Sequence, residues 1–405
     1  MNKYFLACIL MFLLFFINVF EVHASTNVLS NCSQSVVNNA VSAASDGDTI
    51  VCPSGTWSWT SSVTISNKNI TLQGGGIDKT IINVDGSGTP AIYVPSSNTK
   101  SWRITGFTFH SRVLLGEDHG DGIIRNLSTG TGGNGNGWRI DHNKFLIYSD
   151  RINWDGGNAI VARGSIGLVD HNEFRDSPNS PSGGCWHSAV YMSGPGTGES
   201  QWALPTGQIS KGNAMFVEDN IMEETKSVCS YHNGHTIDAG PGIYVFRHNT
   251  VTNLNTDAHG MGVNLGTREY EISNNDFYIT NSDALWANVE IRGGTGVIYN
   301  NVNHGPGTAG APLWMVEYNA PGCSYPCEMQ VGRGQNQTSD KLYIWGNTGD
   351  FRIENSNPSH IQPGRDYVLN GGAKPGYTAY PYPHPMVGGG GGNSIPNPPT
   401  NIRVN

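Results

Sequence analysis

Short apolar runs alternate with polar residues along most of the chain, and one plan recurs. An apolar residue is followed three positions later by Asn, and a second apolar residue usually stands two positions after it, as in "FRHNTV" (246–251). The shared residues are Asn143, Asn172, Asn220, Asn249, Asn275, Asn301 and Asn347. Their spacings of 29, 48, 29, 26, 26 and 46 residues predict stacked coils with two long insertions.

Each period holds short β-type runs joined by Gly, Asn and Asp, and no long stretch has the apolar spacing of a helix. Coils of three short strands fit, with neighbouring strands about 4.8 Å apart. The shared Asn then marks a corner, because Asn tolerates left-handed backbone and its amide can bond to copies above and below. We therefore expect Asn249 to be one rung of a ladder and His248 beside it to be structural.

The repeat resembles the right-handed parallel β-helix superfamily, the pectate-lyase-like fold, over about residues 30–360. The stretch "CSQSVVNNAVSAASDGDTIVCPSGTW" (32–57) is similar to the cap of that family, a short helix followed by "GDTIV" and a Gly turn. The resemblance implies an all-β, three-sheet solenoid with a short N-terminal capping helix. We expect the cap over residues 25–60, the parallel β-helix over 61–374 and a Pro/Gly-rich tail and linker over 375–405.

The N-terminus has the pattern of a secretory signal peptide. Lys3 precedes an apolar run over residues 5–20, and the small residue Ala24 marks the expected cleavage point. The alternative is a membrane anchor, but the run is short for a span and no later stretch is apolar enough to cross a bilayer. We expect a secreted chain. Its end, "NPPTNIRVN", resembles the opening of a fibronectin-like module, so a further C-terminal module or a cell surface is a candidate partner.

Six cysteines remain beyond the signal peptide, and an even number in an exported chain indicates disulfides. Zinc ligation is the rival interpretation. Sequence order favours one of the fifteen connectivities, namely Cys32–Cys52, Cys185–Cys229 and Cys323–Cys327.

The net charge of −9 gives no electrostatic reason to bind nucleic acid. A mildly acidic surface permits calcium binding, and "EDHGDG" (117–122) is one candidate, although it lacks a specific ligand spacing. Calcium is therefore the one cofactor that we consider, and no metal ligand is assigned.

The corner Asn also serves to locate outward-facing residues. Twelve and ten positions before it the residues are apolar in four periods, so the position between them faces outward. Residues 190–193 resemble 160–163 and residues 329–331 resemble 289–291, which extends this outward column across the insertions. It contains Val161, Tyr191, Asp238, Asn264, Glu290 and Gln330. A second column beside it includes Arg163 and Arg292.

Loops entering these strands add further polar residues, namely His187, His232, His235, Asp257 and His259. Carboxylates, amides, Arg and Tyr on one face are the groups that bind sugars, so we predict a polysaccharide-binding strip. The alternative is an ordinary solvated face. A metal site is a further option, because His187, His235 and His259 enter successive strands on one rim and could converge.

The superfamily resemblance implies mostly polysaccharide lyases and glycoside hydrolases, with some non-enzymatic adhesins and fibres. A lyase needs a base, for which His259 or His235 is a candidate. It also needs a cation to neutralise the uronate carboxylate, either Arg292, Arg268 or a bound Ca²⁺.

An inverting hydrolase needs two carboxyl groups about 6.5–9.5 Å apart. Asp238 and Glu290, two predicted coils apart, fit that spacing. Family motifs match only in part. "WRIDHNKF" (138–145) resembles the "WIDH" signature of family-one pectate lyases, but their Arg-x-Pro-x-x-Arg segment is missing. "NTD" (255–257) matches polygalacturonases, whose other motifs are missing.

The sequence thus predicts a secreted β-helix that binds and cleaves a polysaccharide by β-elimination or inverting hydrolysis. The alternative is a non-enzymatic carbohydrate-binding protein, adhesin or surface rod. The catalytic candidates are Asp238, Glu290, Arg292, His259 and Asp257. The substrate-binding candidates are Tyr191, Asn264, Arg163, Arg268, His235 and Gln330.

Overall fold

The computed structural model describes most of the chain. The described residues are 24–115, 121–128, 137–150, 156–163, 166–181, 185–193, 198–225, 234–259, 266–280, 287–305, 313–349 and 351–388. Within them, three parallel sheets wind into one solenoid, the right-handed parallel β-helix that the repeat predicts. We number the strands in chain order. No described helix is long and apolar enough to cross a membrane.

Sheet A is the longest of the three sheets. Its strands are β1 (Thr26–Val28), β2 (Thr49–Val51), β5 (Thr71–Gln73), β8 (Arg103–Thr105), β11 (Trp138–Asp141), β14 (Gly167–Asp170), β17 (Met215–Glu218), β20 (Ile243–Arg247), β23 (Glu269–Ser273), β26 (Thr295–Tyr299), β29 (Leu342–Trp345) and β32 (Tyr367–Leu369).

Sheet B follows sheet A around each coil. Its strands are β3 (Gly55–Trp59), β6 (Thr80–Val84), β9 (Thr108–Ser111), β12 (Lys144–Ile147), β15 (Glu173–Asp176), β18 (Ile221–Glu223), β21 (Thr250–Thr252), β24 (Asp276–Tyr278), β27 (Val302–Asn303) and β30 (Thr348–Gly349).

Sheet C completes the coil. Its strands are β4 (Val63–Thr64), β7 (Ile92–Val94), β10 (Gly122–Asn126), β13 (Asn158–Arg163), β16 (Ser188–Ser193), β19 (His235–Ala239), β22 (Asn255–Ala258), β25 (Val289–Ile291), β28 (Leu313–Met315) and β31 (Ile353–Asn355).

Helices are short and peripheral. They are α1 (Gln34–Ala43), α2 (Gly198–Trp202) and α3 (Pro385–Gly388), with 3₁₀ turns at Ile209–Lys211 and Gln335–Gln337. Helix α1 buries Val37 and Val41 against the first coils, so the predicted capping helix is present. It caps the apolar end of the stack, which a solenoid must protect from water.

Two of the predicted disulfides are formed. Cys32, just before α1, is bonded to Cys52 after β2, and Cys323 is bonded to Cys327. Cys229 lies outside the described residues, so its bridge to Cys185 stays a prediction.

The corner ladder between sheets A and B is present as the repeat predicts. The amide of Asn249 donates to the side-chain oxygen of Asn275 at 3.1 Å and to the carbonyl of Val217 at 2.9 Å. The same bonds recur from Asn143 to Asn347. However, the left-handed residue is the one before the Asn, as at His248, where φ is 57°. The ladder thus satisfies buried polar groups at a sharp bend.

The C-terminal strap, residues 374–388, runs back along the outer face of sheet A. The guanidinium of Arg247 donates to the carbonyls of Tyr380 and Pro381 at 2.8 and 2.9 Å. Arg139 in β11 donates to the carbonyl of Met386 at 3.1 Å. The ring of Tyr382 stacks on His248 with centroids 3.7 Å apart. These contacts cover sheet A and leave the outer face of sheet C to other groups.

Candidate functional site

Three acidic side chains stand next to one another on the outward side of sheet C. Strand pairing aligns Tyr191 with Asp238, Asp238 with Asp257, Asp257 with Glu290 and Glu290 with Trp314. We call Asp238, Asp257 and Glu290 the carboxylate row. Asp257 therefore occupies the place predicted for Asn264, and Trp314 occupies the place predicted for Gln330.

The prediction that Asn264 lies between Asp238 and Glu290 in the outward column is wrong, because β22 lies there instead. In this coil a two-residue connection precedes β22 and a ten-residue loop follows it, whereas both neighbouring coils have the long loop first. The connection before β22 is shorter than in the next coil, and β22 with the loop after it is longer by the same amount. The spacing between successive corner Asn residues is therefore 26 residues in both coils and does not reveal the exchange. Asn264 itself lies outside the described residues.

Gln330 is a structural residue of a turn rather than part of the row. Its side-chain oxygen accepts from the backbone N–H of Cys327, and its amide donates to the carbonyl of His360, both at 2.9 Å. The prediction placed Gln330 in the strand that follows β25 in sheet C, but that strand is formed by Leu313–Met315.

The carboxylate row is almost fully removed from solvent. Asp238 is 2% exposed and both Asp257 and Glu290 are 0% exposed. Buried carboxylates are costly unless they are paired. Asp238 Oδ2 lies 2.8 Å from His187 Nε2, and its Oδ1 lies 3.1 Å from His259 Nδ1.

Arg292 compensates the other two carboxylates. Its Nε lies 2.8 Å from Glu290 Oε1 and its Nη2 lies 3.1 Å from Asp257 Oδ2. The hydroxyl of Tyr318 donates to Glu290 Oε1 at 3.0 Å, and Arg292 lies over the Tyr318 ring at 5.0 Å. Asn255 donates to Glu290 Oε2 at 3.1 Å. The arrangement thus places one guanidinium between two acids and an aromatic face.

Burial and charge separate the protonation states within this cluster. Burial raises the pKa of Asp257 to about 6, although Arg292 opposes the shift. Burial acts in the same sense on Asp238, but His259 and His187 outweigh it and hold the pKa of Asp238 well below its usual range. Burial alone would lower the pKa of His259; Asp238 and Asp257 raise it to about 10. His259 is therefore an imidazolium at neutral pH.

The stabilised imidazolium predicts that the protein loses stability in alkali. The folded pKa of His259, about 10, exceeds its unfolded value near 6.5, so its contribution is complete below pH 6.5 and lost as the pH rises through 10. In chelator-containing buffer, raising the pH from 6.5 to 10 should lower the free energy of unfolding of both the wild type and His259→Gln. The decrease should be larger in the wild type, by at least about 1 kcal/mol. Denaturant titrations at each pH measure this. Equal slopes for both proteins contradict the assignment.

Cations and an aromatic ring form the solvent side of the cluster. The side chains of His259 and Arg292 are 20% and 11% exposed, and Tyr318 is 42% exposed. A ligand approaching sheet C therefore meets an imidazolium, a guanidinium and a phenol before it meets any carboxylate. Such a surface favours an anionic ligand with an apolar face.

The remaining predicted residues are distributed unevenly. Tyr191 is half-buried with its ring 6.2 Å from that of His187, and Arg163 is exposed at the end of β13. His235 is buried, with its ring 5.7 Å from His187. Arg268 is not brought to the row: it is buried and packs over Trp202 at 5.8 Å.

The sequence missed three residues that contact or extend the row. Tyr318 and Trp314 follow a long insertion and carry no repeat signal, whereas Asn255 belongs to the "NTD" match.

Side-chain atoms that could bind a metal ion also lie close together here, because ligand atoms of His187, His235 and Asp238 lie within 4.8 Å of one another. Residues 117–120 of the calcium candidate at 117–122 lie outside the described residues.

No family model matches the chain, and no curated protein matches it. Solved structures do. An alginate lyase from Paenibacillus sp. is 12% identical with a TM-score of 0.42, over 85% of this chain and 99% of that one. A PL6-family alginate lyase is 12% identical with a TM-score of 0.44, over 87% and 52%. The catalytic domain of a GH87 α-1,3-glucanase with nigerose is 10% identical with a TM-score of 0.37, over 86% and 68%.

The chain is a right-handed parallel β-helix. The three parallel sheets confirm the fold that the Asn repeat predicts. Because one fold hosts many activities, the chemistry depends on the carboxylate row and on the groups above it.

Proposed function

We propose that the protein binds and cleaves an acidic polysaccharide on the outer face of sheet C by β-elimination. The observation that carries the proposal is that two cationic side chains lie between the solvent and the buried carboxylate row. Arg292 and His259 lie on the solvent side, and the carboxylates that hold them are 0–2% exposed beneath. Buried carboxylates cannot flank a sugar bond, whereas the two cations can meet a uronate carboxylate.

Arg292 is the neutralising group in this proposal. Its guanidinium is fixed by Glu290 and Asp257, so it is oriented before substrate arrives and loses little freedom on binding. Pairing with the uronate carboxylate withdraws charge and acidifies the neighbouring C5–H of the sugar. Tyr318 and Trp314 offer aromatic faces on which sugar rings can stack.

Tyr318 and His259 supply the proton transfers. Burial and Glu290 raise the pKa of Tyr318, so its hydroxyl acts as base only by passing its own proton to Glu290 Oε1, 3.0 Å away, while taking the proton from C5. The C5–H electrons form the C4–C5 double bond and the C4–O bond breaks. His259, bonded to carboxylates through Nδ1, gives the Nε2 proton to the leaving oxygen. His259 is thus the acid rather than the predicted base.

Inverting hydrolysis is the second candidate, because Asp238 and Glu290 lie two strands apart. Strand spacing puts their backbones about 9–10 Å from each other, near the range for inversion. The raised pKa of Asp257, about 6, also suits a proton donor. The burial of all three acids is the argument against it.

One assay separates these candidates. Purified protein is incubated with polyuronates and with neutral glucans, with and without chelator, while ultraviolet absorbance and reducing ends are followed. Absorbance from unsaturated uronate ends supports elimination. Reducing ends without absorbance overturn elimination in favour of hydrolysis, and retained binding without either signal means a binding protein.

Tyr318→Phe isolates the proposed base. Loss of the hydroxyl should lower kcat by on the order of 10²–10⁴-fold with little change in KM, because the ring and Arg292 remain. Tyr325→Phe is a matched control: Tyr325 is 41% exposed, lies 5.0 Å beneath Arg333 and donates to Asp366 at 3.2 Å. Its activity should be unchanged. Equal activity in both variants rejects Tyr318 as the base.

A further inference from the structure

We propose that His187, His235 and Asp238 form a binding site for one divalent transition-metal ion. The site lies at the floor of sheet C, beneath His259. The inference goes beyond the proposed cleavage and does not depend on it, since neither Arg292 nor Tyr318 belongs to the ligand set.

The fold brings the three side chains together on neighbouring coils. His187 precedes β16 and His235 begins β19, and the backbone N–H of His235 donates to the carbonyl of His187 at 2.8 Å. The ligand atoms of His187, His235 and Asp238 all lie within 4.8 Å of one another. Ligands about 2.0–2.2 Å from a shared ion are at most about 4.4 Å apart, so only small rotations are needed.

One hydrogen bond prepares His235 as a ligand. His235 Nδ1 lies 3.2 Å from the carbonyl oxygen of His187, which can only accept, so Nδ1 carries the proton and Nε2 of the neutral ring offers a lone pair. Metal-binding histidines usually donate their other N–H to a carbonyl in this way. Asp238 Oδ1 is likewise held by His259 at 3.1 Å, which leaves Oδ2 for the ion.

The carboxylate row supplies the second observation. Asp257 is 0% exposed, and its Oδ1 accepts no hydrogen bond from the described residues. A ligand atom of Asp257 also lies within 4.8 Å of those of His235 and Glu290. A buried carboxylate oxygen without a donor is costly, and a cation beside it removes that cost. Ligand atoms of Asp257 lie within 4.8 Å of those of His235 and, in another group, of Asp238, so Asp257 borders the site.

The charges leave room for a cation. Three carboxylates face one guanidinium and one imidazolium, Arg292 and His259, so the fully ionised cluster retains negative charge. A bound ion also replaces the proton between His187 Nε2 and Asp238 Oδ2, which lie 2.8 Å apart. The neutral ring of His187 then carries its proton on Nδ1, so binding requires no net release of a proton.

The ligand types define the class of metal. Two imidazoles with carboxylate oxygens suit Zn²⁺, Co²⁺ or Ni²⁺, whereas Ca²⁺ and Mg²⁺ prefer oxygen ligands only. Another candidate group in the described residues consists of Cys323, Cys327 and His360. It does not compete for the same metal ion, because its two sulfurs are joined in a disulfide.

Cobalt titration of chelator-treated full-length protein tests the site. We expect one Co²⁺ per chain, visible d–d absorption from nitrogen and oxygen ligands, and displacement by equimolar Zn²⁺ but not by excess Ca²⁺. Elemental analysis after gel filtration gives the Zn²⁺ stoichiometry. Less than a tenth of an ion per chain, or displacement by Ca²⁺, overturns the proposal.

Variants assign the ligands. His235→Ala and Asp238→Asn should weaken Co²⁺ binding at least 100-fold and abolish the absorption band. His304→Ala is the matched control, since His304 pairs with Asp276 at 2.7 Å on the surface, and it should bind as the wild type does. If circular dichroism shows either variant unfolded, His187→Gln decides. Wild-type affinity and spectrum in a folded His187 or His235 variant reject the assignment.

Discussion

Arg292→Ala should lower kcat/KM on an acidic polysaccharide by on the order of 10³-fold, as expected when a preorganised group facing developing charge is removed. The guanidinium is partly exposed and is held by two buried acids, Glu290 at 2.8 Å and Asp257 at 3.1 Å. Arg292→Lys keeps the charge but loses the planar fork, so we expect an intermediate loss. Initial rates of unsaturated-end formation over a range of substrate concentrations measure both.

Removal of Arg292 also leaves buried charge unpaired, which costs about 3–5 kcal/mol. The control has to separate this destabilisation from the catalytic loss. Arg333 is also nearly buried, lies over Tyr325 at 5.0 Å and faces Asp366 at 3.9 Å. Arg333→Ala should therefore destabilise without lowering kcat/KM. If Arg292→Ala retains activity when folded, or both variants lose activity alike, Arg292 is not the neutralising group.

Asn249→Ala should lower the free energy of unfolding by about 3–5 kcal/mol. The substitution removes the acceptor of the Asn220 backbone N–H and amide, both at 3.0 Å. It also removes the donor to the carbonyls of Val217 and Arg247. Each buried group left unsatisfied costs about 1–3 kcal/mol, and part of that is recovered by local relaxation.

The last rung of the ladder provides the comparison. Asn347 is half-buried, accepts from Asn301 at 2.9 Å and donates only to the carbonyl of Ile298 among the described residues. Water can replace much of what Asn347→Ala removes, so the loss should be less than half that of Asn249→Ala. Denaturant unfolding followed by circular dichroism measures both. Equal losses would mean that the corner amides contribute little beyond their backbone conformation.

The ladder could be predicted from sequence because each rung needs the same donor and acceptor, and therefore the same residue. The left-handed residue before it varies among His, Asp, Asn and Gly, since only backbone tolerance matters there. The exchange of long and short loops around β22 could not be predicted, because the total length of the coil is unchanged. The spacing consequently predicts Asn264 at the place in the outward column that Asp257 occupies.

Burial of the carboxylate row was also beyond sequence pattern. Alternation along a strand shows that Glu290 faces away from the core, but not that Arg292 and Tyr318 cover it. The covering groups come from segments of irregular length, where spacing carries no register. The fold could therefore be predicted almost wholly from the periodicity of the sequence. The contacts that determine the chemistry of the carboxylate row could not, because they are not periodic.

The C-terminal strap determines where the polypeptide leaves the solenoid. The strap crosses sheet A from Lys374, paired with Asp340 at 2.7 Å, to Met386, bonded to Arg139 in β11. Its direction opposes that in which the coils accumulate, so the described chain ends beside an early coil. The described chain therefore leaves the solenoid on the flank of the rod near β11, and not at its last coil.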